Sequence, residues 1–173
     1  MLAYTLLIAA VAVERVAELV VSQKNLKWSR ARGGVEFGAG HYPVMVLLHT
    51  ALLAGCLLEA AHREFIPALG WPMLAVVIAA QLLRWWCIGT LGQQWNTRVV
   101  VVPGAGRVTA GPYRFIPHPN YVAVVIEGIA LPLVHSAWIT AVVFTVLNAG
   151  LLRARISVEN TALASLTTDQ RDA

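Results

Sequence analysis

Four polar side chains in the second half of the chain have the types and the spacing of a small binding site. His118 and Tyr121 come just before one apolar stretch, and Arg155 and Glu159 come just after the next. Arg155 and Glu159 are four residues apart, so they share one face of a helix. A cationic ligand suits the Glu159 carboxylate, with tyrosine faces adding cation–π attraction, and an anionic group suits Arg155. Such a site contains both a negatively and a positively charged group.

The elements that must position these side chains are two neighbouring apolar helices. The stretches 121–134 and 137–152 are apolar and are joined by a short connection, so we expect a helical hairpin. A hairpin returns the end of its second helix to the start of its first, and the two polar clusters then meet at one membrane face. A site of both polarities that opens toward lipid would join a polar cytosolic cofactor to a lipophilic acceptor.

The composition indicates an all-α integral membrane protein. Of the 173 residues, 58% are hydrophobic and 13% are charged, and the mean hydropathy is +0.66. An ordinary soluble domain is about 45–50% apolar and about 25% charged. The composition excludes a disordered chain, and two cysteines, Cys56 and Cys87, are too few for a disulfide scaffold.

Apolar stretches divide the chain into about five transmembrane helices in one membrane domain, 1–173. A span needs about 20 mainly apolar residues, and the sequence predicts the spans 2–21, 41–58, 67–91, 121–134 and 137–152. A C-terminal helix is expected over 153–166. Between spans three and four, the loop 92–120 contains the turn signals Pro103-Gly104 and Gly111-Pro112. A loop of this length is usually functional.

The charge pattern predicts the orientation in the membrane. The net charge is +4, and the basic residues lie beside apolar runs, which is typical of loops facing anionic lipid rather than of nucleic-acid binding. We therefore expect membrane lipid as a partner and no nucleic acid, with the N-terminus outside and the C-terminus in the cytoplasm. The residues that fix this orientation are Lys24, Lys27, Arg30, Arg32, Arg98, Arg107, Arg114, Arg153 and Arg155.

The same motifs resemble one enzyme family. Gly111-Pro112-Tyr113, then His118-Pro119-Asn120-Tyr121, a helical hairpin and Arg155-x-x-x-Glu159 look like the isoprenylcysteine carboxyl methyltransferase family over about residues 92–163. Gly40-His41-Tyr42-Pro43 is similar to the bacterial, membrane-embedded branch. The resemblance implies a methyltransferase in the bacterial inner (plasma) membrane that uses S-adenosyl-L-methionine without a Rossmann domain.

The resemblance also implies roles for individual residues. The cytoplasmic cofactor pocket would be formed by the loop before span four and the C-terminal helix, with Glu159 holding the charged part of the cofactor. Arg155 would be the catalytic residue that faces the acceptor and orients its anionic oxygen. The remaining cofactor-binding residues would be Val108, Tyr113, His118, Pro119, Asn120 and Tyr121.

The acceptor implied by the resemblance is a lipophilic small molecule that is methylated on oxygen. The branch resembles enzymes that act on a prenyl-type carboxylate or on a hydroxyl of a long-chain alkylpyrone, alkylresorcinol or quinol. Two positions depart from the family pattern: Pro117 stands where the family usually has Arg, and Asn160 stands where it often has a second Glu. Arg107 and Arg114 are the cations available to replace the missing arginine.

Other ionisable residues within the spans leave alternatives open. Glu127 is an intramembrane carboxylate, and such a group is a functional candidate by default. It would bind substrate, or it would be protonated and bonded to a neighbouring helix through Asn148. The charges of Glu14, Arg15 and Glu18 are more typical of a tie between span one and the bundle. No metal site is expected, because His41 and His49 have no further ligands at a recognised spacing.

Two other functions compete with a methyltransferase. One is a membrane reductase with a similar hairpin and a nicotinamide cofactor, which the identity of the bound cofactor would distinguish. The other is a non-catalytic membrane protein such as a small transporter, although no paired repeats with broken helices are present in the sequence.

Overall fold

Five α-helices make up most of the molecule. The computed structural model describes residues 1–169, with side chains to residue 164. The helices are α1 (Leu2–Arg30), α2 (His41–Ala60), α3 (Pro67–Leu91), α4 (Pro119–Leu133) and α5 (Trp138–Asp169). The two longest connections, 31–40 and 92–118, lie at the same end of the bundle, because α1 and α3 end there.

A small sheet joins these two connections, which adds to the all-α architecture expected from the sequence. Strand β1 (Val35–Phe37) pairs antiparallel with strand β2 (Val99–Val101), with Val35 opposite Val101. The β-branched run Val99–Val102 is too short to span a membrane but has high strand propensity. The 92–120 segment also contains two 3-10 helices, Gly92–Gln94 and Gly111–Arg114, so it is an ordered wall rather than a structureless loop.

Proline and glycine set the ends of the helices that frame the site. Pro67 and Pro119 are the first residues of α3 and α4, where the missing N–H has no helical partner to lose. Gly92 follows α3 at φ +52°, a left-handed conformation that favours glycine. The chain therefore turns away from the bundle after α3 and re-enters it at Pro119.

The α4–α5 hairpin is closed by contacts at the end of the bundle opposite the sheet. The Glu59 carboxylate of α2 accepts the backbone N–H groups of Ile139 and Thr140 at 3.1 and 2.8 Å. These are the second and third residues of α5, whose N–H groups a capping residue normally satisfies. Between the two helices, Gly128 packs so closely that a Cβ there would overlap the ring of Phe144.

Three helical segments are long and apolar enough to cross a membrane among the described residues: His41–Ala60, Pro67–Gln94 and Trp138–Ala164. Many of their apolar side chains point away from the protein, including Leu47, Leu58, Leu82 and Val142, all more than 60% exposed. This surface is suited to lipid and confirms a membrane protein.

Five spans stay a prediction. Helix α4 is apolar but has only 15 residues, and α1 carries Glu14, Arg15 and Glu18 within its apolar half. The expected fifth span and the expected C-terminal helix are one continuous helix, α5, because no glycine or proline lies between Leu152 and residue 166 to break it.

Candidate functional site

One large cavity lies between the helices and extends to the end of the bundle that carries the sheet. Its volume is about 500 Å³, and its walls come from all five helices and from the 94–108 part of the connecting segment. Pockets that bury most of a small ligand have volumes of ~300–1,000 Å³. The cavity therefore has room for a small molecule or for parts of two.

At one end of the cavity, the start of α4 is bonded to the second half of α5. The Tyr121 hydroxyl donates to Glu159 Oε2 at 2.6 Å, and His118 Nδ1 lies 3.6 Å from Glu159 Oε1. The other ring nitrogen, His118 Nε2, lies 3.1 Å from Asn160 Oδ1. The hairpin thus brings together the two polar clusters that its topology was expected to join.

The carboxylate at this end also controls the protonation of the histidine. The Glu159 carboxylate raises the pKa of His118 above its ordinary value, an effect larger than the opposing effect of partial burial. A protonated His118 offers two N–H donors, one toward Glu159 and one toward Asn160. The Glu159 carboxylate therefore favours the protonated form of His118.

Arg155 lies one turn of α5 before Glu159 and is 5% exposed. Its Nη2 donates to the backbone oxygen of Thr97 at 2.8 Å, and its Nη1 lies 3.2 Å from Met45 Sδ. The guanidinium carbon is 5.9 Å from the centre of the Tyr121 ring. The charge has no carboxylate partner among these contacts, and Nε is buried without a hydrogen bond. A buried guanidinium held in this way favours an anionic ligand.

Three further predicted residues line the same cavity. Val108 lies on the connecting segment, Tyr113 in the second 3-10 helix and Asn120 at the start of α4. Burial raises the pKa of Tyr113, so its hydroxyl stays neutral, and the hydroxyl interacts with the thiol of Cys87 on α3. The side-chain oxygen of Asn120 is buried and has no hydrogen-bond partner, which makes it an acceptor available to a ligand.

Two predicted residues do not line the cavity. Pro119 is fully buried as the first residue of α4, where it fixes the direction in which His118 and Asn120 leave the helix start. Glu127 is 5% exposed and is bonded to Arg84 of α3, with Arg15 of α1 at 3.7 Å. Its partners are therefore these arginines rather than Asn148.

Glu127 belongs to an ionic cluster that ties three helices together. Arg15 Nη1 lies 2.9 Å from Glu18 Oε2, and Arg84 Nε lies 3.6 Å from Glu18 Oε1. Glu14 Oε2 also lies 3.6 Å from Arg15 Nη2. Each arginine thus has at least two carboxylates within 4 Å, which limits the penalty of placing these charges in the bundle. The expected tie between span one and the bundle is confirmed, and Arg15, Glu18 and Arg84 also line the cavity.

The two departures from the family pattern have identifiable surroundings. Asn160 is the hydrogen-bond partner of His118, so the replacement keeps an oxygen acceptor next to the histidine. Pro117 lines the cavity, and so does Arg107, whereas Arg114 is exposed and lies over the ring of Phe115. Of the two cations available to replace the missing arginine, Arg107 is the one at the cavity.

Sequence reasoning missed the wall formed by residues 94–102. Thr97 holds Arg155 through its backbone oxygen, and its hydroxyl lies 2.8 Å from Ser22 Oγ on α1. Asn25 of α1 donates to the backbone oxygens of Gly92 and Trp95 at 3.0 and 2.7 Å. The available signal was the polar run Gln93–Arg98 directly after an apolar helix.

The cavity also has an apolar part, lined by side chains of α1, α2 and α5. Leu19, Leu53 and Leu152 line it. Val16 of α1 and Val46 of α2 line it as well, and both are also exposed on the outside, by 60% and 38%. Two side chains of the wall formed by α1 and α2 are therefore also exposed on the outside of the bundle.

Two bacterial proteins are similar to nearly the whole chain. The chain is 37% identical to the uncharacterized protein YpbQ of Bacillus subtilis over 161 residues, which are 92% of this chain and 96% of that protein. It is 24% identical over 168 residues to an uncharacterized protein of Haemophilus influenzae, covering 96% and 98% of the two chains.

The family comparison covers the site itself. Residues 73–165 match the isoprenylcysteine carboxyl methyltransferase (ICMT) family, whose activity is methyl transfer in a membrane. The matched range contains most of α3, the connecting segment, α4 and the part of α5 that carries Arg155 and Glu159. This chain belongs to the isoprenylcysteine carboxyl methyltransferase family.

Proposed function

We propose that the protein is an S-adenosyl-L-methionine-dependent methyltransferase of the membrane that methylates an oxygen of a lipophilic acceptor. The observation that carries this proposal is the cavity of about 500 Å³, which Arg155 lines. It joins the cluster of Glu159, His118 and Tyr121 to an apolar chamber, the part lined by Leu19, Leu53 and Leu152. A polar cofactor and a lipophilic acceptor can meet in such a cavity.

The residues at the polar end fit the cofactor. Glu159 provides a carboxylate for the positive part of S-adenosyl-L-methionine, and Tyr121 and His118 hold that carboxylate in place. The unpartnered oxygen of Asn120 accepts a hydrogen bond from a polar group of the cofactor. Tyr113 and Val108 complete the wall at this end. When bound, the cofactor supplies a methyl group that is open to attack by an oxygen nucleophile.

Arg155 is the residue proposed to face the acceptor. A carboxylate or phenolate is already a nucleophile, so the main task of the protein is to align it and to exclude water. Arg155 Nη2 donates to the Thr97 carbonyl, which fixes the guanidinium in place. Arg155 Nε has no partner, so it is a second donor for the anionic oxygen of the acceptor. Alignment of this kind supplies up to ~7–11 kcal/mol of a reaction barrier in favourable cases.

The membrane supplies the acceptor in this proposal. A long-chain alkylpyrone, alkylresorcinol or quinol, or a prenyl-type carboxylate, has a polar head for Arg155 and a tail for the apolar chamber. The exposed Val16 and Val46 leave a route from lipid between α1 and α2. The proposed setting is a bacterial plasma membrane, with the basic end of the bundle in the cytoplasm and the N-terminus outside.

A product assay with two acceptor classes tests the proposal. Purified protein in lipid nanodiscs is given methyl-labelled S-adenosyl-L-methionine with either pentadecylresorcinol or farnesoic acid, and the organic phase is analysed by mass spectrometry. We expect an O-methyl product from at least one acceptor and no oxidation of NADPH. Oxidation of NADPH with a reduced product and no label in the organic phase would identify a reductase instead.

A further inference from the structure

A second polar patch faces the cavity at some distance from Arg155. It consists of Glu18 of α1 and Arg84 of α3, which both line the cavity and are each 4% exposed. Neither the proposed cofactor site nor the proposed role of Arg155 uses these residues. The patch needs an explanation, because polar groups buried at a cavity wall are expected to have hydrogen-bond partners.

Each of the two side chains has one satisfied end and one unsatisfied atom. Glu18 Oε2 pairs with Arg15, and Arg84 Nη2 pairs with Glu127. The remaining atoms, Glu18 Oε1 and Arg84 Nε, are buried without hydrogen-bond partners and lie 3.6 Å from each other. That separation is too long for a direct hydrogen bond. The patch therefore offers one free acceptor beside one free donor.

A hydroxyl group is the chemical partner that satisfies both atoms. Its oxygen accepts from Arg84 Nε and its proton is donated to Glu18 Oε1, after a rotation of the two side-chain ends toward the cavity. A carboxylate would be repelled by Glu18, and an ammonium would be repelled by Arg84. The patch thus favours a neutral hydroxyl over either kind of ion.

The position of the patch relative to Arg155 follows from the contacts of α1. Along α1, Glu18 is one turn before Ser22, whose hydroxyl contacts Thr97, the residue that holds Arg155. One turn is about 5–6 Å along the axis, so the patch lies about one turn deeper in the bundle than Arg155.

We propose that Glu18 and Arg84 form a second subsite that binds a hydroxyl of the methyl acceptor, about one helical turn from the oxygen held at Arg155. The inference rests on the proposed function, because it takes the molecule in the apolar chamber to be the acceptor. It narrows that acceptor to a compact head group with two oxygen substituents and an apolar tail, and it disfavours a simple fatty or prenyl carboxylate.

Two probes that differ by a single hydroxyl test the inference: pentadecylresorcinol and pentadecylphenol. Their binding to the protein is measured in nanodiscs in the presence of S-adenosylhomocysteine, so no turnover is required. Because a hydrogen bond to charged groups is worth ~1.5–3 kcal/mol, we expect the resorcinol to bind about 10- to 150-fold more tightly. The ratio of the two Kd values is independent of the fraction of active protein.

Two variants on the same helix separate a subsite from a structural ion pair. In Glu18→Gln the ratio should fall toward one, whereas in Glu14→Gln it should stay at the wild-type value. Glu14 is one turn away, does not line the cavity and is bonded to Gln81 and Trp85. Like Glu18 it also pairs with Arg15, so the two variants each remove one charge from the same ionic cluster. Equal Kd values for the two probes in the wild type, or an unchanged ratio in Glu18→Gln, would overturn the inference.

Failure of the subsite inference is distinguishable from failure of the proposed methyltransferase function. S-adenosyl-L-methionine is titrated into the same wild-type sample. If it binds while the two probes bind equally, or while neither probe binds, the subsite is refuted and the methyltransferase proposal stands. If it does not bind, the proposed function fails regardless of the probes.

Discussion

Replacing Arg155 by lysine should slow methyl transfer without weakening cofactor binding. Lysine keeps the positive charge but lacks the planar fork of donors. In the structure, one arm of that fork is bonded to the Thr97 carbonyl at 2.8 Å, and Nε is left free for a ligand. A lysine ammonium at the same place cannot hold the carbonyl and point at the acceptor oxygen in the same fixed geometry.

The magnitude follows from one lost charge-assisted hydrogen bond to the acceptor. Such a bond is worth ~1.5–3 kcal/mol, and each ~1.4 kcal/mol changes a rate tenfold, so kcat/KM should fall about 10- to 150-fold. Glu159 is one turn away and is bonded to Tyr121 and His118, whereas Arg155 acts on it through its charge, which lysine keeps. The Kd for S-adenosyl-L-methionine should therefore change by no more than about twofold.

The assay is transfer of labelled methyl to pentadecylresorcinol or farnesoic acid, whichever the wild type accepts, with calorimetry of cofactor binding on the same samples. Arg153→Lys is the matched control, because Arg153 lies two residues away on the same helix and is exposed. Its rate should equal that of the wild type. Unchanged turnover in Arg155→Lys, or equal losses of turnover and cofactor affinity, would refute the assignment of Arg155 to the acceptor.

Three further changes have outcomes that the structure predicts. Glu59→Ala removes the acceptor of two backbone N–H groups at the start of α5. It should reduce the free energy of unfolding by about 0.5–2 kcal/mol, measured as a lower thermal midpoint in detergent. An unchanged midpoint would contradict the capping role. Gly128→Ala should reduce the free energy of unfolding by about 1–3 kcal/mol, because the added methyl overlaps an aromatic ring. Gly150→Ala is the control and should not reduce it, because the added methyl there meets nothing. Equal midpoints for the two variants would contradict the close packing of α4 on α5. Since the pKa of His118 is raised above 6.5 by Glu159, its contribution to stability is complete below pH 6.5 and is lost as the pH rises through the raised value. The difference in midpoint between wild type and His118→Gln should shrink over that range, and a difference that grows with pH would contradict it.

The sequence was sufficient to predict the part of the site that depends on local spacing. Arg155 and Glu159 share a helix face by their four-residue separation, and the hairpin brings them to His118 and Tyr121 because its two helices are consecutive. These relations need only helix periodicity and a short connection.

Contacts between elements far apart in the chain were not predictable from spacing. The bond between Glu127 and Arg84 joins residues 43 positions apart, and the cavity wall at Thr97 depends on its contact with Ser22, 75 positions away. The pairing of Val35 with Val101 likewise requires that two loops meet at the same end of the bundle. Such contacts follow from the packing of the whole bundle, which no single motif encodes.

The continuity of α5 shows a different limit of prediction from the sequence. The end of an apolar stretch at Leu152 was expected to separate a span from a C-terminal helix, but a change in polarity does not end a helix. Only the local conformation does, and the sequence from Leu152 onward has no residue that breaks a helix. As a result, Arg155 and Glu159 lie on the same rigid element as the membrane-spanning residues.

Calorimetric titration of S-adenosyl-L-methionine into the detergent-purified protein, wild type and Glu159→Ala, addresses the proposed cofactor site directly. We expect micromolar binding to the wild type, loss of detectable binding in Glu159→Ala, and retained binding in Glu64→Ala, whose side chain is exposed on the α2–α3 connection. No binding to a folded wild-type sample, or unchanged binding in Glu159→Ala, would contradict the assignment, and NADPH would then be titrated into the same sample.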